Sequence, residues 1–392
     1  MAQFDVVIAG GAMAGATLAL ALNQLSQRSL SIAVVEPYQV DHNAHPGFDS
    51  RSIALSYGTV QILESLQLWS SILPVATAIK DIHVSDRGHA GMTDIFSEQL
   101  AVDALGYVVE LADVGRIYQE KLETEGNITL FCPSSVSEIT RHIDHTDIEL
   151  SCGQTITTKL LVAADGAIST CCERLGITLN EHDFGQVAVI ANIVASEPHA
   201  GRAFERFTEH GPVALLPMTN NRLSLVWCLP PEQANKVMAL DETAFLEQLQ
   251  DAFGWRLGKL EKVGQRASYP LILRHRQQNI SHRFAIVGNA AQTLHPIAGQ
   301  GFNLGIRDVA SLAEEVCEQL DDAGHYSGLT RFRKRRESDR DTTIALTSSL
   351  VHLFSNDWPA TRLGRNLGLA AMDNISPLKG PLLRHTLGLV ER

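Results

Sequence analysis

A glycine-rich turn near the start of the sequence carries its clearest chemical signal. The stretch from Gly10 to Gly15 reads Gly-Gly-Ala-Met-Ala-Gly. A dinucleotide-binding turn needs small residues for its tight bend, for close approach of the pyrophosphate and for helix packing. Ala12 occupies the middle position, where it adds one methyl group at the point of closest phosphate approach. We therefore predict that Gly10, Ala12, Met13, Ala14 and Gly15 bind the diphosphate of a nucleotide cofactor.

Glu36 follows this turn at the distance expected of a ribose-binding carboxylate, which is about 20 residues. Its carboxylate can accept hydrogen bonds from the ribose hydroxyls, and its charge would repel a 2′-phosphate. The alternative is a glycine-rich turn between packed elements, followed by an exposed glutamate. Taken alone, the motif predicts FAD or NAD without choosing between them.

The elements that position these residues follow from the apolar pattern. Residues 4–9 and 31–35 read as short buried strands, and residues 12–24 as a helix rich in Ala and Leu. Strand, turn, helix and strand form one βαβ crossover. Residues 283–287 again resemble a buried parallel strand. The first domain is therefore predicted to be completed late in the chain, with a second domain inserted into it.

The remaining pattern alternates between β and helical segments. Residues 128–164 read as a run of strands, and residues 187–228 alternate as an antiparallel sheet does, with Gly-Pro and Asn-Asn turns. Helices are predicted at about residues 52–68, 113–122 and 303–320 and over most of the chain after 329, with a loop at 42–50.

Composition excludes several classes of protein. The net charge of −12 over 392 residues argues against nucleic-acid binding. The basic cluster at residues 331–336 is interpreted as a solvated helix face. No apolar run is long enough to span a bilayer, and the N-terminus lacks the pattern of a signal peptide. Six cysteines without metal-ligand spacing suggest reduced thiols in a cytoplasmic protein, and we predict no metal site.

Three further motifs resemble those of the FAD-dependent aromatic hydroxylases, the family similar to p-hydroxybenzoate hydroxylase. The stretch from Asp49 through Arg51 resembles their DxRxxAL element, and Asp165-Gly166 resembles their second strand-and-DG element. Residues 288–308 resemble their GD element and the loop after it. This last motif is most similar to that of the ubiquinone-biosynthesis hydroxylases, in particular those acting on 2-octaprenyl-6-methoxyphenol.

The resemblance implies an FAD-dependent monooxygenase with a Rossmann-like α/β domain of the p-hydroxybenzoate hydroxylase type, an inserted antiparallel-sheet substrate domain and a helical C-terminal tail. The predicted boundaries are 1–75, 105–180 and 270–330 for the FAD-binding domain, 76–104 and 181–269 for the substrate domain, and 331–392 for the helical region.

The implied reaction is hydroxylation of a polyprenylated phenol of the 2-polyprenyl-6-methoxyphenol type in ubiquinone biosynthesis. It would use O₂ and transiently bound NAD(P)H and proceed through a C4a-hydroperoxyflavin. Other ubiquinone-pathway proteins are expected partners, with at most peripheral contact at the inner face of the cytoplasmic membrane. Alternatives are a hydroxylase of another ring position, a small-phenol hydroxylase, a flavin reductase of prenyl chains, and a non-catalytic flavin-binding assembly subunit.

The resemblance also assigns site residues. The cofactor-binding residues beyond the first turn and Glu36 are predicted to be Arg51, Arg116, Asp165, Asn289, Gly299, Gly301, Phe302 and Asn303. Arg51 offers a planar cation to a phosphate or to the flavin, or else forms a surface salt bridge. The helix after Gly299 would turn its N-terminal amides toward the flavin, and Asn303 could be simply its N-cap.

The sequence departs from the family pattern at two positions. Asn289 stands where many members have Asp, and Cys172 where many have Arg, so no role is assigned to Cys172. The predicted catalytic residues are Arg51, His295 and Pro296. The carbonyl of Pro296 would face the phenol hydroxyl, and His295 either acts as a base or only packs in the loop.

A polyprenyl substrate needs a long apolar channel. The inserted domain offers large apolar residues for one, although such residues more often form a core. These residues are Phe184, Phe204, Phe207, Leu215, Met218 and Trp227.

Overall fold

The structure is a computed structural model, which describes residues 2–39, 51–87, 91–354, 380 and 383–390. Asp49 and the loop predicted at residues 42–50 lie outside the described residues, as does most of the chain after residue 354.

The described part of the chain contains three sheets, nine α-helices whose bounds are given below, several short 3-10 helices and further helical residues at 383–386. The strands are β1 (Ala2–Ala9), β2 (Ile32–Val35), β3 (Ser52–Ser56), β4 (Thr77–Ile79), β5 (Asp81–Asp86), β6 (Met92–Phe96), β7 (Gly106–Glu110), β8 (Ile128–Phe131), β9 (Val136–Arg141), β10 (Thr146–Leu150), β11 (Thr155–Ala163), β12 (Asn180–Ala195), β13 (Arg202–Thr208), β14 (Gly211–Pro217), β15 (Arg222–Leu229), β16 (Leu260–Val263), β17 (Ala267–His275), β18 (Ile280–Ser281), β19 (Phe284–Ile286) and β20 (Gln292–Thr293). The helices are α1 (Met13–Leu25), α2 (Tyr57–Ser65), α3 (Trp69–Ile72), α4 (Leu111–Thr124), α5 (Thr170–Arg174), α6 (Pro231–Ala239), α7 (Glu242–Phe253), α8 (Gln300–Cys317) and α9 (Tyr326–Phe354).

The first sheet has a parallel centre in the order β19-β11-β1-β2-β8. Val6, Val7 and Ile8 of β1 have no exposed surface, as is usual for a parallel strand that is covered on both faces. Strand β19 pairs with β11, with Leu161 opposite Phe284. The prediction that a strand near residue 285 returns to the first sheet is confirmed. Strands β18, β10 and β9 extend this sheet in antiparallel directions.

The second sheet has nine strands, mostly antiparallel, in the order β20-β17-β12-β15-β14-β13-β5-β6, with β16 paired to β12. Its residues Phe204, Leu215 and Trp227 share a core with the helical residues Phe245 and Phe253. The predicted fold class, an α/β cofactor-binding fold with an added antiparallel sheet, is therefore confirmed. The residue boundaries of the two domains remain a prediction.

A three-stranded sheet, in the order β3-β7-β4, corrects one predicted helix. Residues 52–56 form strand β3, in which Ile53 pairs with Val109, and the helix starts only at Tyr57. Ser56 ends the strand and caps the helix, because its Oγ accepts a hydrogen bond from Thr59 N–H. Long-range strand pairing thus overrides the helical pattern of the first residues.

Helices α8 and α9 are joined by buried ion pairs. Arg307 Nε lies 2.7 Å from Asp339, and Arg336 Nε lies 2.7 Å from Asp308, with all four side chains at most 4% exposed. The prediction that residues 331–336 form a solvated face is correct for Arg333 and Lys334, which are exposed, and wrong for Arg336, which is fully buried. The positive charges of this segment bind acidic groups on α8 and not solvent alone.

Among the described residues, no helix combines the length and apolar character needed to cross a membrane. The six cysteines are all free thiols, as predicted.

Candidate functional site

The predicted turn at the end of β1 requires glycine at both its ends. Gly10 has φ of +96°, and a Cβ atom there would lie 2.4 Å from the Ala164 carbonyl oxygen. A Cβ atom at Gly15 would lie 1.8 Å from the carbonyl oxygen of Gly10. The turn therefore packs tightly against β11 and against its own helix, as the sequence pattern requires.

Ala12 causes no strain in this turn. It is the N-cap of α1 with φ of −71°, a value that any residue adopts, and its side chain is exposed. Within the described part of the chain, no side chain caps α1 and no acidic residue lies in its first turn. The amides that begin at Met13 are therefore available to an anion, and the helix dipole favours negative charge there.

Glu36 is held against the turn by backbone hydrogen bonds. Gly11 N–H donates to its Oε2 at 2.6 Å, and Tyr38 N–H donates to its Oε1 at 3.0 Å. A carboxylate has about four lone-pair sites, so further donors can still be accepted. This arrangement fits the predicted role as acceptor for ribose hydroxyls.

Gly288 lies where three segments meet. A Cβ atom there would lie 2.7 Å from Cβ of Ala14 in α1, and its φ is +63°. On the other side, a Cβ atom at Gly305 of α8 would lie 3.1 Å from the Cα of Gly288. The loop after β19 is thus packed between α1 and α8. Asn289 follows directly, and its side chain is exposed.

Asn303 ties the first turn of α8 to β3. Its amide Nδ2 donates to the carbonyl oxygens of Ala54 and Gly299 at 2.9 and 2.6 Å, and its Oδ1 accepts from Ser56 N–H at 2.8 Å. The N-cap of α8 is Gly299, which has φ of +61°. The N-cap alternative for Asn303 is therefore wrong, because its side chain bridges two elements.

The amides at the start of α8 remain available in the same way as those of α1. No side chain caps α8, and its first turn contains no acidic residue, among the residues that the structure describes. Gly301 and Phe302 lie in this turn, half-buried, and Phe302 packs against the core beneath it. Helices α1 and α8 thus both pack against the loop at Gly288, α1 through Ala14 and α8 through Gly305.

Asp165 has one oxygen without a partner. Its Oδ2 accepts from Cys171 N–H at 3.1 Å, whereas its Oδ1 is buried and has no hydrogen-bond partner among the described residues. A buried acceptor without a donor is costly, and such groups are usually satisfied by a ligand or by water. Asp165 directly follows the segment that packs on Gly10, so a cofactor hydroxyl could supply the missing donor.

The two predicted arginines are placed differently from the other site residues. Arg51 immediately precedes β3, and its side chain is exposed. Arg116 lies on the outer face of α4, where it pairs with Glu120 at 2.8 Å. The surface cavity that Arg116 lines contains none of the other predicted cofactor residues. The cofactor roles of Arg51 and Arg116 therefore stay predictions.

His295 is buried and uses both of its ring nitrogens. Its Nε2 lies 3.0 Å from Oε1 of Gln186, and its Nδ1 accepts from Ile297 N–H at 3.3 Å. Burial lowers the pKa of His295 to about 4. The neighbouring Pro296 carbonyl accepts from Gly299 N–H at 2.9 Å. These contacts fit the packing role for His295 better than the role of a base.

An apolar cavity of about 220 Å³ adjoins the first turn of α8. Its walls come from the small sheet, from the β13-β5-β6 edge of the second sheet, from α8 and α9, and from residues 383–387. Among its lining residues are Ile79, Val84, Phe207, Ile297, Asn303 and Leu387. Of the six channel residues predicted from the sequence, Phe207 lines this cavity, whereas Phe204, Leu215 and Trp227 are core residues.

The sequence did not reveal several residues that build the site. Gly288 and Gly305 lie within the motif at residues 288–308, but nothing in the sequence pattern indicates that they are in contact. Ser56 carries a usable signal, because serine is a favoured residue at the N-cap of a helix. The cavity wall formed by Leu383 and Leu387 carried none, because these residues meet β3 only through the tertiary fold.

The chain was compared with known proteins. The model of a family described as "FAD binding domain" matches residues 3–344. The ubiquinone hydroxylase UbiL of Rhodospirillum rubrum is 34% identical over 390 residues, which cover 99% of this chain and 90% of that protein. The 3-demethoxyubiquinol 3-hydroxylase of Escherichia coli is 30% identical over 388 residues, with 98% of each chain covered.

Solved structures share the fold at low sequence identity. The p-nitrophenol 4-monooxygenase PnpA of Pseudomonas putida has a TM-score of 0.81 at 19% identity, with 99% of each chain covered. HpxO of Klebsiella pneumoniae, in complex with FAD and uric acid, has a TM-score of 0.77 at 16% identity, covering 98% of this chain and 97% of that one.

The glycine turn yields a matched pair of substitutions. Gly15→Ala should abolish FAD retention, because its Cβ atom would collide with the carbonyl oxygen of Gly10. Ala12→Gly should change FAD affinity by no more than about twofold, because Ala12 is already unstrained and exposed. FAD content after purification and quenching of FAD fluorescence measure both. Retention of FAD by Gly15→Ala would contradict the tight-turn argument.

His295 should make folding stability depend on pH. The unfolded chain binds a proton at the ordinary pKa of 6.5, whereas the folded chain binds it only near pH 4. Stability is therefore lost as pH falls from 6.5 to 4, by about 2 kcal/mol between pH 7 and pH 5. Urea unfolding at the two pH values measures this loss. In His295→Gln, the free energy of unfolding should decrease less between pH 7 and pH 5, because the histidine contribution is absent. An equal pH dependence in wild type and His295→Gln would refute the assignment.

Proposed function

Because the chain belongs to the FAD-binding-domain family, whose members include flavin-dependent monooxygenases, we propose that it hydroxylates a polyprenylated phenol in ubiquinone biosynthesis. The expected substrate is of the 2-polyprenyl-6-methoxyphenol type, with NAD(P)H and O₂ as co-substrates. The observation that carries the proposal is the apolar cavity beside α8, in a chain similar to a ubiquinone hydroxylase along nearly its whole length.

The cavity suits a substituted ring with an apolar tail. Aliphatic side chains such as Ile82, Val84 and Leu350 form most of its lining, and Thr93, Glu205 and Gln300 supply a few polar groups. Its volume of about 220 Å³ lies below the roughly 300–1,000 Å³ of ordinary ligand clefts. A long polyprenyl chain must therefore extend beyond it.

The residues around Gly288 fit FAD. The turn at Gly10 and the start of α1 would hold the diphosphate, Glu36 the ribose, and Asp165 Oδ1 a further hydroxyl. When bound, FAD supplies the electron transfer and the oxygen activation, which the protein side chains cannot perform.

Helix α8 provides electrostatic stabilisation. Its N-terminal amides and positive dipole end favour negative charge beside its first turn. The three hydrogen bonds of Asn303 fix this turn relative to β3, so the donors keep their directions. The aliphatic lining of the adjacent cavity excludes water, and polar interactions inside are correspondingly stronger.

The loop at His295 positions the substrate hydroxyl in this proposal. The Pro296 carbonyl uses one lone pair for Gly299 N–H, which leaves a second for a phenol O–H. Neutral His295 holds the loop through Ile297 N–H and through Gln186. We therefore assign His295 as a positioning residue.

A second candidate is hydroxylation of a different carbon of the same ring. The Escherichia coli relative, which is 30% identical, is named a 3-demethoxyubiquinol 3-hydroxylase. The same cavity could accept that quinol, because ring position depends on the orientation of the ring and not on the class of side chains. For either ring position, the proposal includes delivery of the lipid substrate by other proteins of the pathway.

A deletion strain and the purified protein together test the function. The strain should accumulate a polyprenyl intermediate that lacks one ring hydroxyl, and mass spectrometry of extracted quinones identifies the missing position. The FAD-loaded protein should oxidise NAD(P)H faster when a prenylated phenol is added. Normal ubiquinone levels in the deletion strain under aerobic growth would refute the proposed pathway.

The cavity wall offers a test of substrate binding. Leu387→Trp should raise KM for a prenylated phenol by at least about tenfold, because the larger side chain fills the apolar space. Leu389→Trp is the matched control, because Leu389 is 43% exposed and is not among the cavity-lining residues. Steady-state kinetics at saturating NAD(P)H measure both variants. Equal KM values would exclude this cavity as the substrate site.

A further inference from the structure

The hairpin that joins β9 to β10 gathers three ligating side chains. His142, His145 and Asp147 each offer one ligand atom, and these atoms all lie within 4.8 Å of one another. His142 Nε2 is 3.1 Å from Asp147 Oδ2, and His145 Nε2 is 3.8 Å from Asp147 Oδ1. The two imidazole rings stack with centroids 4.4 Å apart. Because His145 lines a surface cavity with Gln3, this cluster lies at the opposite end of β1 from the cofactor turn.

Two of these side chains are oriented by further hydrogen bonds. Asp144 Oδ1 lies 2.7 Å from His145 Nδ1, so the other ring nitrogen of His145 faces Asp147. Thr157 Oγ1 donates to Asp147 Oδ1 at 2.7 Å. A carboxylate that holds the second nitrogen of a ligating histidine is a common feature of metal sites in proteins.

The backbone of the hairpin is also fixed. His142 N–H donates to the carbonyl oxygen of His145 at 2.9 Å. Arg283 Nε donates to the carbonyl oxygen of Ile143 at 2.9 Å, and His282 Nε2 contacts that of His142 at the same distance. The ligating side chains therefore project from a turn that is tied to the neighbouring β18-β19 connection.

The charges of the cluster favour a cation. When His145 Nδ1–H donates to Asp144, its Nε2 lone pair faces the Asp147 carboxylate. Two electron-rich groups 3.8 Å apart repel each other unless a proton or a metal ion lies between them. The three side chains are 27–41% exposed, so an ion can reach them from solvent.

We propose that His142, His145 and Asp147 bind a divalent transition-metal ion, with Zn²⁺ as the best match. Two imidazole nitrogens and one carboxylate oxygen are a common donor set for zinc, whose fourth position would be taken by water. The bound ion joins the hairpin tip to β10. The sequence analysis predicted no metal site, because these three residues have none of the usual metal-ligand spacings and include no cysteine.

Calorimetric titration of the FAD-loaded protein with Zn²⁺ tests the proposal. Wild type should show one site that is lost in His145→Ala and in Asp147→Asn. Asp144→Asn should weaken this site by about 10- to 100-fold, because it removes the partner that orients His145. His325→Gln is the control, because it removes an exposed histidine outside the cluster and should leave the site intact.

Electron paramagnetic resonance with Cu²⁺ identifies the ligands independently. Wild type should show hyperfine coupling to two imidazole nitrogens, and His142→Ala to one. FAD content and thermal unfolding of each variant show whether it is folded. The proposal is overturned if wild type binds no Zn²⁺ at about 100 micromolar, a concentration comparable to the Kd of a weak site. It is equally overturned if the folded ligand variants bind Zn²⁺ as wild type does.

Discussion

The close approach of α1 and α8 at Gly288 is the constraint on which the proposed cofactor site depends. A side chain at Gly288 would overlap Ala14, and one at Gly305 would press on Gly288 itself. Small residues at these three positions allow the two helices to pack closely against the same loop. A larger residue in any of the three segments would push α1 and α8 apart.

Buried ion pairs join α8 to α9 beyond the first turn of α8. Helix α8 continues from its first turn to Arg307 and Asp308, which pair with Asp339 and Arg336 of α9. Such pairs contribute little net stability compared with apolar residues of the same size, but loss of one partner leaves an uncompensated buried charge. They therefore define the position of α9 relative to α8 more than they strengthen the fold. Because α9 contributes Leu350 to the cavity wall, the ion pairs also help to fix the position of that wall in the proposed substrate site.

The sequence predicted the main backbone elements around the proposed cofactor site and little of the cavity. The turn at Gly10, the position of Glu36 after it and the returning strand β19 follow from sequence patterns, because a short apolar run marks each strand and a spacing of about 20 residues marks the carboxylate. The side-chain bridge made by Asn303 could not be read in this way, since its partners Ala54 and Ser56 lie about 250 residues earlier. The misplaced helix at residues 52–56 and the buried Arg336 have the same origin, because long-range packing decided both.

The late return of the chain to the first sheet has a consequence for biosynthesis. Strand β1 and helix α1 leave the ribosome long before β19 and Gly288, which complete their surroundings. At elongation rates on the order of 5–20 residues per second, the nascent βαβ unit waits for tens of seconds. In the second half of that interval β11 has been made but lacks its final parallel neighbour, and unpaired strand edges are prone to aggregation. The complete surface of the proposed cofactor site can therefore form only after most of the polypeptide has been translated.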